Sequence, residues 1–143
     1  MSPGRILVVE DDGIIAWSLQ KWLQRQGYEV VGVVASGEEA ITQTVSLKPD
    51  VVLMDINLSG AMDGLEAVRQ IRAEVDVAVV YVTGQVDGET RQRAEETQPC
   101  GYVVKPAQER ELSRVLAEVF KCHRGKLRQK CGRIGGAVTA EKG

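Results

Sequence analysis

Short apolar runs alternate five times along the chain with longer segments in which apolar residues recur every three or four positions. Most of the runs are continuously apolar, which is typical of strands covered on both faces. The predicted strands are Arg5–Val9, Glu29–Val34, Asp50–Met54, Val77–Val82 and Gly101–Val104. Regular alternation of strands and helices favours a parallel sheet with helices on both faces, linked by right-handed crossovers.

The segments between the runs carry helix signals. One apolar stripe of the first predicted helix consists of Ile14, Ile15, Leu19, Trp22 and Leu23. Ser36 and Glu39 form a capping box at the start of the second, and Asp63 offers a similar start to the third. The fifth has an i, i+3, i+4, i+7 stripe of Leu112, Val115, Leu116 and Val119.

The fourth predicted helix, roughly Asp87–Gln98, is almost entirely polar and has Ala94 and little else to bury. A helix of this kind gains little from packing, so we expect it to be among the least stable elements. The simplest interpretation is a solvated helix. In a molecule that switches between conformations, it is also a candidate for the part that moves.

Length and composition indicate one globular domain. The chain has 143 residues, of which 43% are hydrophobic and 4% aromatic, so aliphatic side chains must fill the core. No apolar run is long enough to cross a bilayer and no signal peptide is recognisable, so we expect a cytoplasmic protein without a membrane partner. The cysteines Cys100, Cys122 and Cys131 include no CxxC pair, which argues against a disulfide framework and against a zinc site at Cys122 and His123.

Charge divides the chain into two unlike parts. Residues 1–120 carry a net charge of −8, whereas residues 121–143 carry 7 basic residues and 1 acidic residue, a net charge of +6. We therefore predict a domain over residues 1–122 and a basic, flexible tail over residues 123–143. A contact with nucleic acid or an acidic partner is the alternative, but the tail lacks interleaved aromatic residues, so a nucleic-acid partner is disfavoured.

Acidic and polar residues follow the predicted strands at their carboxyl ends, where parallel sheets bind ligands. They are Glu10, Asp11 and Asp12 after the first strand, Asp55 and Asn57 after the third, Thr83 and Gly84 after the fourth, and Lys105 and Pro106 after the fifth. Carboxylates brought together repel one another unless a cation joins them. Mg²⁺ prefers such oxygen ligands, so we predict a Mg²⁺ site.

This combination of residues suits phosphoryl transfer. With the metal bound, Asp55 is expected to attack a phosphoryl group and form an acyl phosphate. Lys105 would neutralise one phosphate oxygen and the Thr83 hydroxyl would donate to another, so the set supplies positioning and charge neutralisation. Each residue alone has an ordinary interpretation as a cap, a turn residue or a solvated charge. Their convergence on one sheet edge favours the chemical interpretation.

Four motifs and one shorter match resemble the response-regulator receiver family. They are Ile6–Asp12, Val52–Leu58, Tyr81–Gly84, Gly101–Pro106 and Asp63–Glu66. They occur in the family's order and spacing, and the resemblance spans about residues 4–120, as in the single-domain receivers of the chemotaxis regulator type. It implies an α/β, flavodoxin-like (βα)5 fold, a doubly wound parallel sheet with strand order 2-1-3-4-5.

By matched position, the resemblance implies that Asp55 is the phosphoacceptor and that Lys105 and Thr83 contact the phosphoryl group. Glu10, Asp11, Asp55 and the backbone carbonyl of Asn57 would hold Mg²⁺, with Glu10 acting through water. Thr83 and Tyr102 would form the switch pair, and the bond between Lys105 and Pro106 would be cis, which is plausible because cis bonds occur before proline.

The implied function is that of a signalling phosphoacceptor in a two-component phosphorelay rather than an enzyme, although transfer and dephosphorylation would be self-catalysed. The expected partners are a sensor histidine kinase or phosphotransfer protein and a downstream protein target. The surface of helix 4, strand 5 and helix 5 would change its affinity on phosphorylation, with a homodimer through this face as one outcome. The loop after Asp55 departs from many receivers, because it lacks an early proline and is one residue longer.

Other interpretations remain open at this point. The chain could be a receiver fragment of a longer response regulator or hybrid kinase, or a phosphorylation-dead scaffold. The chain could also be an aspartyl-phosphate phosphatase that resembles the haloacid-dehalogenase type. Such enzymes carry an Asp-x-Asp motif after the first strand, whereas here Asp55 follows the third strand and the residue two positions later is Asn57. A nucleotide- or flavin-binding module needs a glycine-rich loop after the first strand, where this chain has acids.

Overall fold

The computed structural model describes residues 4–84, 87–106 and 109–124. Within these ranges, five strands form one parallel sheet: β1 (Arg5–Val9), β2 (Glu29–Val34), β3 (Val51–Met54), β4 (Ala78–Thr83) and β5 (Gly101–Val104). The strand order is β2-β1-β3-β4-β5. The predicted fold class and strand order are therefore confirmed.

Helices connect consecutive strands and one follows the last strand. They are α1 (Gly13–Arg25), α2 (Gly37–Leu47), α3 (Gly64–Glu74), α4 (Gly88–Glu95) and α5 (Glu109–Arg124). None of the helices in the described residues is long and apolar enough to span a membrane.

Two apolar layers cover the two faces of the sheet, and alternate residues of each strand point into opposite layers. In β1, Leu7 and Val9 face α2 and α3, whereas Ile6 and Val8 face α1 and α5. The three central strands β1, β3 and β4 are almost fully buried as a result, which explains their continuously apolar sequences, whereas the edge strand β2 is partly exposed.

Side-chain caps start four of the helices, and two of them were predicted. The Ser36 hydroxyl accepts a hydrogen bond from the Glu39 N–H at 3.2 Å, while Glu39 Oε1 accepts from the Ala35 N–H at 3.2 Å. Asp63 Oδ1 accepts from the Glu66 N–H at 2.9 Å. Asp12 and Asp87 cap α1 and α4 in the same way. Each cap satisfies a backbone donor that the helix itself leaves unpaired.

The predicted stripe of α1 is exposed at its first turn. Ile14 is 81% exposed and Ile15 is 39% exposed, although Trp22 and Leu23 are buried as expected. These two side chains line a groove between α1 and α5.

Two other predictions concern α4 and the carboxyl end of the chain. The fourth helix ends at Glu95, earlier than the predicted Gln98, and Ala94 is its buried residue. Its sparse burial agrees with its polar sequence. The predicted tail over residues 123–143 lies almost entirely outside the described residues, since α5 is described to Arg124.

Candidate functional site at the carboxyl edge of the sheet

Four of the predicted site residues meet at the carboxyl ends of three strands of the sheet. Glu10 and Asp11 follow β1, Asp55 follows β3, and Lys105 follows β5. Among the described residues, Glu10, Asp11 and Asp55 can each offer an oxygen atom such that all three oxygens lie within 4.8 Å of one another. The parallel register of β1, β3, β4 and β5 produces this convergence, because it brings the ends of the strands to one edge.

Asp55 lies at the centre of the cluster and is only 4% exposed. Its Oδ2 accepts a hydrogen bond from the Lys105 ammonium at 2.8 Å, and its Oδ1 accepts from the Asn57 N–H at 3.1 Å. Its backbone N–H donates to the Val9 carbonyl at 3.0 Å, which extends the β1–β3 ladder by one residue. The carboxylate is therefore held by both a charge and the backbone.

Glu10 is 5% exposed and forms an ion pair with Lys105. Its second oxygen accepts a hydrogen bond from the Asp12 N–H at 3.1 Å. Burial raises the pKa of Glu10 above its usual value, and the nearby Asp55 carboxylate acts in the same direction, while Lys105 opposes the rise.

Lys105 forms ion pairs with both buried carboxylates. Burial by itself would lower the pKa of Lys105, but the hydrogen bonds to Asp55 and Glu10 outweigh burial and raise it. The lysine therefore stays charged at neutral pH. The peptide bond between Lys105 and Pro106 is cis.

Asp11 is more exposed than the other two acids and contacts the loop that follows β3. Its Oδ2 accepts hydrogen bonds from the Ser59 hydroxyl at 2.6 Å and from the Ser59 N–H at 3.0 Å. The bond from the Ser59 hydroxyl holds the pKa of Asp11 below its usual value. Sequence reasoning missed Ser59, because a serine in a polar loop has no distinguishing pattern.

The donor set fits a divalent cation. Three carboxylates and one ammonium carry a net charge of −2 when ionised, which a divalent ion would balance. All three acids offer oxygen atoms, the ligands that Mg²⁺ prefers, and among the described residues none of the sulfur or imidazole ligands that transition metals favour belongs to the cluster. Partial exposure of Asp11 leaves a route for a hydrated ion.

The segment after Asp55 packs closely against the start of α3. The Gly64 N–H donates to the Ile56 carbonyl at 2.7 Å, and a Cβ built on Gly64 would lie 2.7 Å from Ile56 Cα and closer still to the Asp55 carbonyl oxygen. Only glycine allows this approach. The Asp63–Glu66 motif therefore fixes the backbone that presents Asp55.

Thr83 and Tyr102, the predicted switch pair, lie on adjacent strands next to this cluster. Thr83 is fully buried, and its carbonyl accepts from the Lys105 N–H at 2.8 Å. Tyr102 points inward, with the Arg91 guanidinium 4.3 Å from its ring centroid and the Tyr81 ring centroid 5.9 Å away. Arg91 links Tyr102 to α4, so a movement of this ring would change the contact that Tyr102 makes with that helix.

A second cluster, at the end of α4, was not predicted. The hydroxyls of Tyr81 and Thr97 lie 2.8 Å apart, and the Thr97 hydroxyl also donates to the Ala94 carbonyl at 2.6 Å. Arg72 of α3 donates to the carbonyls of Thr97 at 3.1 Å and Gln98 at 2.9 Å. These bonds attach the carboxyl end of α4 to β4 and α3.

An apolar groove of about 490 Å³ opens beside Lys105 between α1 and α5. Ile14, Ile15, Leu19, Trp22, Pro106 and Leu112 are among the residues that line it. It borders the carboxylate cluster at Lys105, so a partner seated there would be adjacent to Asp55.

Comparison with known proteins agrees with this geometry. The family model described as the response regulator receiver domain matches residues 6–117. Among curated proteins, the transcriptional regulatory protein PdtaR of Mycobacterium tuberculosis is 33% identical over 104 residues, which are 73% of this chain and 50% of PdtaR. The response regulator GacA of Pseudomonas viridiflava is 36% identical over 118 residues, covering 81% of this chain and 55% of GacA. The chain thus spans about half the length of the curated relatives it matches.

Solved structures lead to the same family. The signal receiver domain of a modulated diguanylate cyclase from Desulfovibrio desulfuricans has a TM-score of 0.79 and 37% identity, covering 87% of this chain and 98% of that one. The N-terminal domain of a response regulator/sensory box/GGDEF 3-domain protein from Carboxydothermus hydrogenoformans has a TM-score of 0.76 and 29% identity, covering 86% and 98%. The general role of these domains is to be phosphorylated on an aspartate in two-component signalling, and they are not classical enzymes. The chain belongs to the response regulator receiver domain family.

Proposed function

We propose that this chain is a phosphorylation switch whose phosphoacceptor is Asp55. The observation that carries the proposal is the position of Asp55, a buried carboxylate bonded to Lys105 at 2.8 Å and placed with Glu10 and Asp11 at one sheet edge. A carboxylate that is held in place and is adjacent to a cation site is suited to nucleophilic attack on phosphorus.

In the proposed reaction, an Asp55 oxygen forms a bond to phosphorus while the bond from phosphorus to the donor breaks. For a phosphohistidine donor on a sensor kinase or phosphotransfer protein, the P–N bond breaks and the imidazole leaves. Asp55 would exchange its hydrogen bond with Lys105 for the covalent bond, and the freed ammonium would pair with a phosphoryl oxygen. The Thr83 hydroxyl would donate to another of these oxygens.

Glu10 through water, Asp11, Asp55 and the Asn57 carbonyl would hold Mg²⁺. A bound Mg²⁺ would supply charge neutralisation for the phosphoryl oxygens during the transfer. The chain itself then contributes the nucleophile, the lysine and the fixed backbone around Asp55. In this sense the transfer and the later hydrolysis would be self-catalysed.

The expected consequence is a shift between two conformations that already exist. Thr83 and Tyr102 would move together, and Arg91 would transmit the movement to α4, so the face of α4, β5 and α5 would change its affinity for a downstream protein or for a second copy of the chain. The apolar groove between α1 and α5 supports a docking position for the phosphodonor protein beside Asp55. A cytoplasmic location is part of this proposal.

Intact mass after incubation with Mg²⁺ and acetyl phosphate tests the acceptor. Wild type should gain one phosphoryl group, chelation of the metal should abolish the gain, and Asp55→Asn should show none. Asp63→Asn is the matched control, since it removes an equal charge from the same loop and keeps a side chain that can cap α3. A gain in Asp55→Asn would place the acceptor elsewhere, and no gain in wild type from either acetyl phosphate or a phosphorylated kinase would overturn the proposal. The test applies equally to a receiver by itself and to one that is part of a longer regulator.

A further inference from the structure

We propose that Ser59 is a positioning residue that orients the Asp11 carboxylate for the cation. This inference rests on the proposed function only in that it takes Asp11 as a metal ligand. It concerns a residue outside the set of predicted ligands, in the loop of residues 55–63 that joins β3 to α3.

The contact between Ser59 and Asp11 has two donors and one acceptor. The hydroxyl at 2.6 Å and the backbone N–H at 3.0 Å both donate to Asp11 Oδ2, across 48 residues of sequence. The shorter distance is that of a charge-assisted O–H···O⁻ bond, which is roughly twice as strong as a neutral one. Rotation of the carboxylate would break both bonds, so the pair fixes its orientation.

Both bonds converge on Oδ2, and the carboxylate has Oδ1 as its second oxygen to offer to a cation. Because the two oxygens belong to one rigid carboxylate, the position of Oδ2 determines where Oδ1 lies relative to Asp55 and Glu10. Partners of this kind, which bond to a ligand rather than to the metal, typically change metal affinity 10–100-fold when they are removed.

The loop conformation brings Ser59 to Asp11. The Leu58 N–H donates to the Ile56 carbonyl at 3.1 Å, and Gly60 adopts a positive φ of 99°, which favours glycine, directly after Ser59. A proline at position 59 would lack both the hydroxyl and the N–H, so the absence of an early proline from this loop is what makes the two-donor contact available.

A purely structural role for Ser59 would be to tether the loop to β1. The two roles differ in what a variant changes. A tether alone affects the free energy of unfolding and leaves the intrinsic affinity for the ion unchanged, whereas a positioning residue affects the affinity itself. The Ser59→Ala variant separates them because it removes the hydroxyl and keeps the backbone N–H bond.

The decisive measurement is titration of the full chain with Mn²⁺, a divalent probe whose free form is counted directly by electron paramagnetic resonance. Ser59→Ala should weaken Mn²⁺ binding by about 10-fold, the lower end of the range for such partners. Ser59→Thr, which restores a hydroxyl, should return the affinity towards that of wild type. Ser36→Ala is the control, because it deletes a hydroxyl that also contacts a carboxylate, Glu39, away from the metal site.

Equal Mn²⁺ affinities of Ser59→Ala and wild type would overturn the inference, as would a Ser59→Thr variant as weak as Ser59→Ala. Mg²⁺ competition against bound Mn²⁺ should show the same rank order. If wild type binds Mn²⁺ but is not phosphorylated, the proposed function fails while the titration still decides the role of Ser59. If wild type does not bind Mn²⁺ at all, the inference fails.

Discussion

The ammonium nitrogen of Lys105 lies 2.8 Å from Oδ2 of Asp55, although 50 residues separate them in sequence. The same nitrogen pairs with Glu10, so one lysine forms ion pairs with two carboxylates that are 95% or more buried. Two buried carboxylates without a cation repel each other and lose the solvation that water would supply. Lys105 is therefore a structural partner of both carboxylates, and in the proposed switch it would become a phosphate partner after phosphorylation.

Lys105→Ala should leave phosphorylation of Asp55 possible but uncouple it from the conformational change. The variant retains the Asp55 nucleophile and the acidic metal ligands. It lacks the ammonium group that would pair with a phosphoryl oxygen. Hydrogen exchange of α4 should change on phosphorylation of wild type and stay constant in the variant. Lys21→Ala, which removes an exposed lysine of α1, serves as the control. A normal response of α4, or unaltered partner binding, in phosphorylated Lys105→Ala would refute this role for the lysine.

Gly64→Ala should destabilise the fold by about 3 kcal/mol, the upper end of the cost of overpacking. The added Cβ would meet the Asp55 carbonyl oxygen and Ile56 Cα, which are backbone atoms and cannot rotate away. The variant should also be phosphorylated more slowly than wild type, because relief of the clash must move the backbone that carries Asp55. Urea-induced unfolding and the rate of mass gain with acetyl phosphate measure the two effects.

Gly88→Ala is the matched control for that substitution. Gly88 starts α4, its φ is not positive, and a Cβ there meets nothing within 4 Å. Alanine favours the helix over glycine, so the free energy of unfolding should stay the same or increase slightly. Equal losses in the two variants would mean that the close approach at Gly64 is not what destabilises the protein.

The sheet was predictable because its signal is local. The bounds of β1, β2 and β5 match the predicted runs, while β3 and β4 begin one residue later than predicted. At β4 the first predicted residue, Val77, has its carbonyl bound by the Arg72 side chain from the end of α3, a contact that no run of apolar residues indicates. The exposed first turn of α1 is a second example. An apolar stripe shows which face of a helix can be buried, but it does not show how far along the helix the burial extends.

The carboxylate cluster was predictable for a different reason. Glu10, Asp11, Asp55 and Lys105 each stand next to the end of a strand, so a parallel sheet brings them together whatever the loops do. Ser59 and Thr97 lie in loops, and their contacts depend on backbone conformations such as the positive φ of Gly60 and of Gln98. Such residues become recognisable only when the loop conformation is known.

Tyr81→Phe should lower the free energy of unfolding at pH 8 by about 1 kcal/mol, the usual net value of one hydrogen bond. The substitution removes the bond between the Tyr81 and Thr97 hydroxyls, and the Thr97 hydroxyl keeps its bond to the Ala94 carbonyl. Thr97→Val breaks the same bond from the other side. A double-mutant cycle of the two substitutions should therefore give a coupling energy of about 1 kcal/mol.

Alkaline pH should reverse the order of stability of wild type and Tyr81→Phe. Burial raises the pKa of Tyr81 to about 12 in the folded protein, whereas an exposed tyrosine has a pKa of about 10. Between these values the unfolded chain loses the phenolic proton first and binds fewer protons than the folded chain. The free energy of unfolding of wild type therefore falls as pH rises through this window, by up to about 1.4 kcal/mol per pH unit, and phenylalanine has no proton to lose.

Urea-induced unfolding of wild type, Tyr81→Phe and Thr97→Val at a series of pH values from 8 to 11 measures this effect. The advantage of wild type over Tyr81→Phe, about 1 kcal/mol at pH 8, should vanish or reverse by pH 11. Thr97→Val keeps the buried phenol, so its stability should fall with pH much as that of wild type does. Parallel curves for wild type and Tyr81→Phe over the whole range would mean that the Tyr81 hydroxyl ionises as readily in the folded protein as in the unfolded chain, and that it is not held protonated against Thr97 at the end of α4.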